Sequence, residues 1–269
     1  MSAVGADGLA AALKRLLRDQ GVDTRWLLID PGRRTLVKQR LRCDDQLVAR
    51  IDDGDTDVLS KDMARKVAGA LCEAAQGCDG VVVSDYDLSL MAPAVLDALR
   101  DVRGHGLPLL VDSKRLERYW DVHPSVVKPN FGEVLRLLCV NAAPSDRAGF
   151  VGAARTELFR ITGAQSVVVT LDSDGAVLLG AQGPYRTAGG SVPAAFAAGA
   201  GDTFVSAFAL ALFSGASMTV AMDRAAADLI LDNESAAMRA VASGYPHSHL
   251  SRTRGGRREA PLCRPIPVL

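Results

Sequence analysis

Hydrophobic positions change period several times along the chain, and the changes mark its parts. Leu9, Leu13, Leu16 and Leu17 recur at helical spacing over residues 7–19, one apolar face of a helix close to the chain start. Residues 26–53 follow another rule. WLLID, TLVKQRL and QLVARID are short runs separated by Pro31-Gly32 and Asp44-Asp45, which predicts antiparallel strands joined by turns. Charges at Lys38, Arg40 and Arg50 within these runs imply one face open to solvent or ligand. From residue 58 onward, helical stretches (60–76, 91–103, a helix from near Gly132, 147–162, 202–214, 218–231) alternate with apolar runs. Those runs are VVVS after Gly80, LPLLVD, SVVK, SVVVT and AVLLG. β-Branched runs alternating with helices predict an α/β fold with a mostly parallel sheet covered on both faces.

Several runs end in polar residues: Ser84-Asp85, Asp112-Ser113-Lys114, Lys128 before Pro129-Asn130, and Thr170-Leu171-Asp172. Ligands of open α/β sheets sit beyond the carboxyl ends of the strands, so these residues would line one edge. Polar turns at strand ends are the plain alternative for any one of them.

Composition narrows the function. The chain has 269 residues, 48% hydrophobic, enough for a sizeable core in one large or two small domains. The 31 basic and 31 acidic side chains cancel, which argues against a polyanion or an anionic membrane as partner. Aromatics make up only 5%, too few for a stacking platform on single-stranded nucleic acid. Five cysteines without a CxxC pair predict reduced thiols and no structural zinc. No run approaches the roughly 18 apolar residues of a membrane span, and no signal-type start is seen, so a cytoplasmic protein is expected. Residues 244–269, rich in Arg, Pro and Gly without period, read as a disordered tail beyond a domain over 1–243.

The chemistry concentrates in Gly199-Ala200-Gly201-Asp202-Thr203. Phe204, Phe208 and Leu212 place a helix start near Asp202. Glycines let backbone N–H groups approach an anion, and the helix N-terminus adds partial positive charge. A carboxylate there suits a base that takes a proton from a hydroxyl attacking a phosphoryl group; an ordinary N-cap is the alternative. Asn130 and Glu133, three apart after a strand, form either oxygen ligands for hydrated Mg²⁺ or a capping box. Lys114 could meet phosphate or be a solvated turn residue. Thr170–Gly175 is a hairpin turn or a loop beside a nucleotide. No GxxxxGK[ST] is present, and no GxGxxG follows a strand.

In order, SDY, VDSK, KPNFGE, TLDSDG and GAGDTF resemble the ribokinase-like PfkB carbohydrate kinases, most closely the heptose-7-phosphate kinase branch. The resemblance covers about residues 80–231 and extends less strictly back to residue 5. It implies a three-layer fold with a small β lid over residues 26–53. It implies Asp202 as catalytic base and Gly199, Ala200 and Gly201 as anion hole. Asn130 and Glu133 would place Mg²⁺, while Lys114, Thr170, Asp172 and Gly175 would lie near ATP. Asp85, Lys38 and Arg40 would face a sugar or sugar phosphate, and dimers through the lid would follow. Departures are Phe196, Ala198, Leu88-Ser89 and Arg224 at motif positions, and no Gly-Gly and Asn segment before residue 5, which reads as N-terminal truncation. The sequence therefore carries two further readings: a degenerate fold that binds nucleotide or a partner chain without catalysis, and a nucleoside or vitamin kinase.

Overall fold

The computed structural model describes residues 1–43, 46–187 and 199–227. The Asp44-Asp45 turn, Phe196, Ala198 and the tail expected at 244–269 lie outside them.

A six-stranded sheet forms the centre: β5 (Val81–Asp85), β6 (Leu109–Ser113), β7 (Val126–Val127), β8 (Ser166–Thr170), β9 (Ala176–Gly180) and β10 (Gly183–Arg186). They lie side by side in that order. β5 to β8 pair in parallel, and β9 and β10 return antiparallel. Parallel neighbours need crossovers, and helices supply them: α3 (Pro93–Gly104) joins β5 to β6, and α4 (Phe131–Leu137), α5 (Arg147–Ala153) and α6 (Arg155–Thr162) join β7 to β8.

The period-2 alternation of the strands sorts their side chains between two cores. Val81, Val83, Leu109, Val111, Val127 and Val169 face one side, against α2 (Lys61–Ala75), α3 and α6. Val82, Leu110, Val126 and Val168 face the other, against Phe204 and Phe208 of α7 (Ala200–Phe213) and Met222 of α8, helical over 218–227. Each fully buried Val or Leu contributes about 1.5–3 kcal/mol relative to exposure. Three layers result, as the alternating runs predict.

The first 60 residues build a separate face of the active edge. β1 (Ser2–Gly5) pairs in parallel with β2 (Leu27–Asp30), and α1 (Gly8–Asp19) packs on them through Ala10, Leu13 and Leu17. The antiparallel expectation for WLLID is therefore corrected: its partner is the short strand at the chain start, reached through α1, and a helical crossover makes a parallel pair. β3 (Val37–Cys43) and β4 (Gln46–Asp53) form the antiparallel hairpin expected of a lid, with a register shift between Leu41 and Arg42. Its base is pinned by Asp7. One carboxylate oxygen of Asp7 caps α1 at Ala10 N, and the other accepts from Thr35 N at 2.7 Å. Thr35 Oγ1 in turn accepts from Gly5 N.

Candidate active site

The GAGDT segment starts its helix two residues earlier than the motif suggests. Gly199 is the N-cap, at φ +94°, a left-handed conformation that glycine adopts without a Cβ penalty. No side chain caps this end. Ala200, Gly201 and Asp202 occupy the first turn, where N–H groups have no acceptor within the helix. Asp202 is therefore not an N-cap. It is exposed, and its Oδ1 accepts a hydrogen bond from Tyr86 Oη at 2.6 Å. The anion cradle and the carboxylate thus share one helix turn, turned away from the apolar packing of Phe204 and Phe208 below.

Lys128, at the end of β7, lies beneath this turn. Its ammonium is 3.9 Å from where a Cβ on Gly201 would sit, and 3.3 Å from Asp112 Oδ2 at the end of β6. The Lys128 side chain is 6% exposed and that of Asp112 19%. Burial pushes the Asp112 carboxyl up to about 6; Lys128 opposes this, and the negative charges of Glu133 and Asp202 add to it. Two neighbouring carboxylates thus act on Asp112 here.

Asn130 and Glu133 make the capping box in full. Asn130 Oδ1 accepts from Glu133 N at 2.8 Å, and Glu133 Oε2 accepts from Asn130 N at 2.9 Å. Among the described residues, no group of three or more His, Cys, Asp and Glu is placed to hold a metal ion. Thr170 bridges to Asn130, which brings the β8 end beside the box. Asp172 and Gly175, both at positive φ, complete the turn between β8 and β9. Asp172 is exposed and paired with Arg147 at 3.2 Å.

Acceptor-side expectations divide. A 440 Å³ cavity lies between the β1 strand, the lid base and the β5 end, lined by Val4, Arg33, Lys38, Asp85 and Tyr86 among others. Lys38 reaches it, with Nζ 5.7 Å from the Tyr86 ring centroid; Arg40 is not part of the lining. Burial first, then the charges of Arg50, Lys114 and Arg40, pull the Lys38 ammonium below its usual value, with Asp52 opposing. Lys114 Nζ lies over the same ring at 6.0 Å.

Asp85 lines the same cavity and is held in place by a hydrogen-bond network. Its side chain is 2% exposed. Oδ2 accepts from Ser113 Oγ and Tyr119 Oη, both at 2.8 Å, and Oδ1 accepts from Asp87 N. A buried carboxylate needs such partners, and these tie β5 to β6 at the cavity wall. Tyr86, its neighbour, lines the cavity as well. Sequence reasoning missed Tyr86, and the signal available was its position immediately after a strand-end Asp.

A parallel sheet covered on both faces, with a glycine-flanked carboxylate at a helix start beyond its strand ends, defines a ribokinase-like α/β protein. Solved structures agree. Ribokinase of Arabidopsis thaliana, complexed with ribose and ATP, superimposes with TM-score 0.66 at 18% identity, covering 87% of this chain and 75% of that one. Phosphofructokinase-2 of Escherichia coli with fructose-6-phosphate gives 0.62 at 20% identity, covering 87% and 75%. The chain belongs to the pfkB family of carbohydrate kinases, whose profile matches residues 1–237. Similar curated proteins are the bifunctional protein HldE of Rhodospirillum rubrum, 30% identical over 233 residues, and that of Desulfatibacillum aliphaticivorans, 29% over 203. The matches cover 82% and 75% of this chain but 44% and 41% of those proteins, so the chain spans less than half their length. Among the described residues no helix is long and apolar enough to cross a membrane.

Proposed function

We propose that this protein transfers the γ-phosphoryl group of ATP to a hydroxyl of a sugar or sugar phosphate of the heptose-phosphate type. The observation that carries this is Asp202: an exposed carboxylate on the glycine-flanked first turn of a helix that no side chain caps. A hydroxyl held at Asp202 Oδ1 lies within reach of a phosphoryl group seated on the Gly199–Gly201 turn. Asp202 takes the hydroxyl proton as the oxygen attacks phosphorus, and the N–H groups with Lys128 beneath them hold the charge on the phosphoryl oxygens. Lys38 supplies positive charge over the acceptor cavity, which suits an anionic sugar. Lys114 and the Thr170–Gly175 turn lie on the nucleotide side.

The donor set fits Mg²⁺. Asp112, Glu133 and Asn130 offer hard oxygens, and Glu133 and Asp202 place negative charge by Asp112 that a divalent cation would relieve. Two groups of the capping box are already engaged, so these residues would hold the ion mainly through its waters. When bound, the ion would neutralise phosphate charge. Dimerisation through the outer face of the lid belongs to the same reading.

Asp202→Asn tests it. Loss of the base is expected to lower kcat by about 10²–10⁴-fold while Mg-ATP binding, measured by calorimetry, stays near wild type. Turnover of the variant at the wild-type rate, in coupled ADP release across a sugar panel, excludes this mechanism. Mg-ATP binding by wild type without turnover on any sugar favours a non-catalytic nucleotide-binding protein instead.

A further inference from the structure

We infer that Tyr86 is a latch on the base: with the acceptor site empty, its hydroxyl occupies the Asp202 oxygen that the acceptor hydroxyl must reach. This rests on the phosphotransfer reading and adds to it a device that keeps water from serving as acceptor. Tyr86 Oη donates to Asp202 Oδ1 at 2.6 Å across 116 residues of sequence, joining the β5 end to the start of α7. Strand and helix are already held together below by Val82, Phe204 and Phe208, so the bond is not needed to dock them.

The backbone around Tyr86 is fixed independently of its side chain. Asp85 before it is anchored in the buried network described above. Asp87 after it stands at φ +59° and is tied to Arg118 at 2.8 Å. The Tyr86 residue itself is 44% exposed. Its side chain can therefore leave Asp202 without disturbing the strand. Its ring lies under two ammonium groups, Lys38 of the lid and Lys114 just after β6. An anionic acceptor that draws Lys38 toward itself removes one of the contacts holding the ring. Burial and Asp202 raise the phenol to about 12, so at neutral pH it donates a proton and does not compete as a base.

The reaction the latch suppresses is hydrolysis. A water at Asp202 Oδ1 would give its proton to the carboxylate as its oxygen bonds to the γ-phosphorus. The bond from that phosphorus to the β-phosphate bridging oxygen would break, releasing ADP and inorganic phosphate. Water has too few contacts to displace the phenol. A polyol makes several at once and can do so.

Tyr86→Phe keeps the ring and both lysine contacts and deletes the hydroxyl. Acceptor-free ADP release from Mg-ATP is expected to rise roughly tenfold or more, and the KM for the acceptor to fall. The rise should vanish in the double variant with Asp202→Asn. A folded Tyr86→Phe protein that phosphorylates sugar with an unchanged acceptor-free rate overturns the latch alone. If neither protein releases ADP with any sugar, the phosphotransfer reading fails and the latch with it. Phenolate absorbance gives a reading independent of turnover. The wild-type minus Tyr86→Phe difference should titrate near 12 and move toward the ordinary 10.0 in an Asp202→Asn background. Titration at the ordinary value in wild type means the bond does not form in solution, and the latch is overturned.

Discussion

Lys128 and Asp112 hold opposite charges 3.3 Å apart beneath the Gly199–Gly201 turn, both largely removed from water. A carboxyl raised from 3.8 to about 6 binds its proton more tightly in the folded chain than in the unfolded one. Its contribution to stability is therefore greatest below about 4, falls as pH rises to about 6, and stays low above that. Lys128→Met removes the compensating charge. The loss should be about 3 kcal/mol at pH 8, where Asp112 ionises, and smaller at pH 5, where it is neutral. Urea denaturation at the two pH values checks this, and an equal loss at both contradicts the buried pair. At this scale the sequence was legible only where residues sit close together. GAGD and Asn-x-x-Glu are local patterns, and both proved to be real structures, one a helix start and the other a capping box. Tyr86 carries no local pattern because its partner is a residue on a different element. Asp85 was legible as a strand-end polar residue, but not the three groups that anchor it.

Helices were read well because each buries one face on the sheet, and burial imposes the 3.6 period. The stretch read as one helix over 147–162 is divided at Ala154, with ψ +2°, into α5 and α6. Apolar spacing continues across that break and so conceals it. β10 escaped notice because GPYR has no apolar alternation, and its pairing with β9 uses main-chain groups. Element ends carry their own constraints. Gly163 closes α6 at φ +63°, and a Cβ there would stand 2.0 Å from Trp120 O, a backbone atom that cannot step aside cheaply. Gly163→Ala combines left-handed strain with a clash and should cost about 2–4 kcal/mol, seen as a lowered denaturation midpoint with unchanged slope. Gly152→Ala, inside α5 with open space around its Cβ position, is the control expected to be neutral or stabilising.

Over the whole molecule, the alternation of runs correctly predicted a mostly parallel sheet between two helical layers, while pairing across distance, as between β1 and β2, was not readable. The lid presents Lys38 and Arg50 on one face. By strand alternation Ile51 points to the other, as does Leu41, which pairs with Ala49, and Leu41 and Ile51 are exposed by 62 and 56%. On the proposed reading, a second lid covers these apolar side chains. Ile51→Lys should shift the protein from dimer to monomer in light scattering after size exclusion; a monomeric wild type removes this assembly.

The order of strands in the sheet has a further consequence. Cavity-lining Tyr86 follows β5, Asp112 and Ser113 close β6 with Lys114 just after them, Lys128 and Asn130 follow β7, and Thr170 closes β8. Neighbouring strands are about 4.8 Å apart, so on the proposed reading the sheet edge is a ruler marked from acceptor to nucleotide over about 14 Å. Recognition on that reading is modular. The segment after β5 and the lid can be exchanged to change which alcohol is chosen, while the nucleotide end three strands away keeps its geometry.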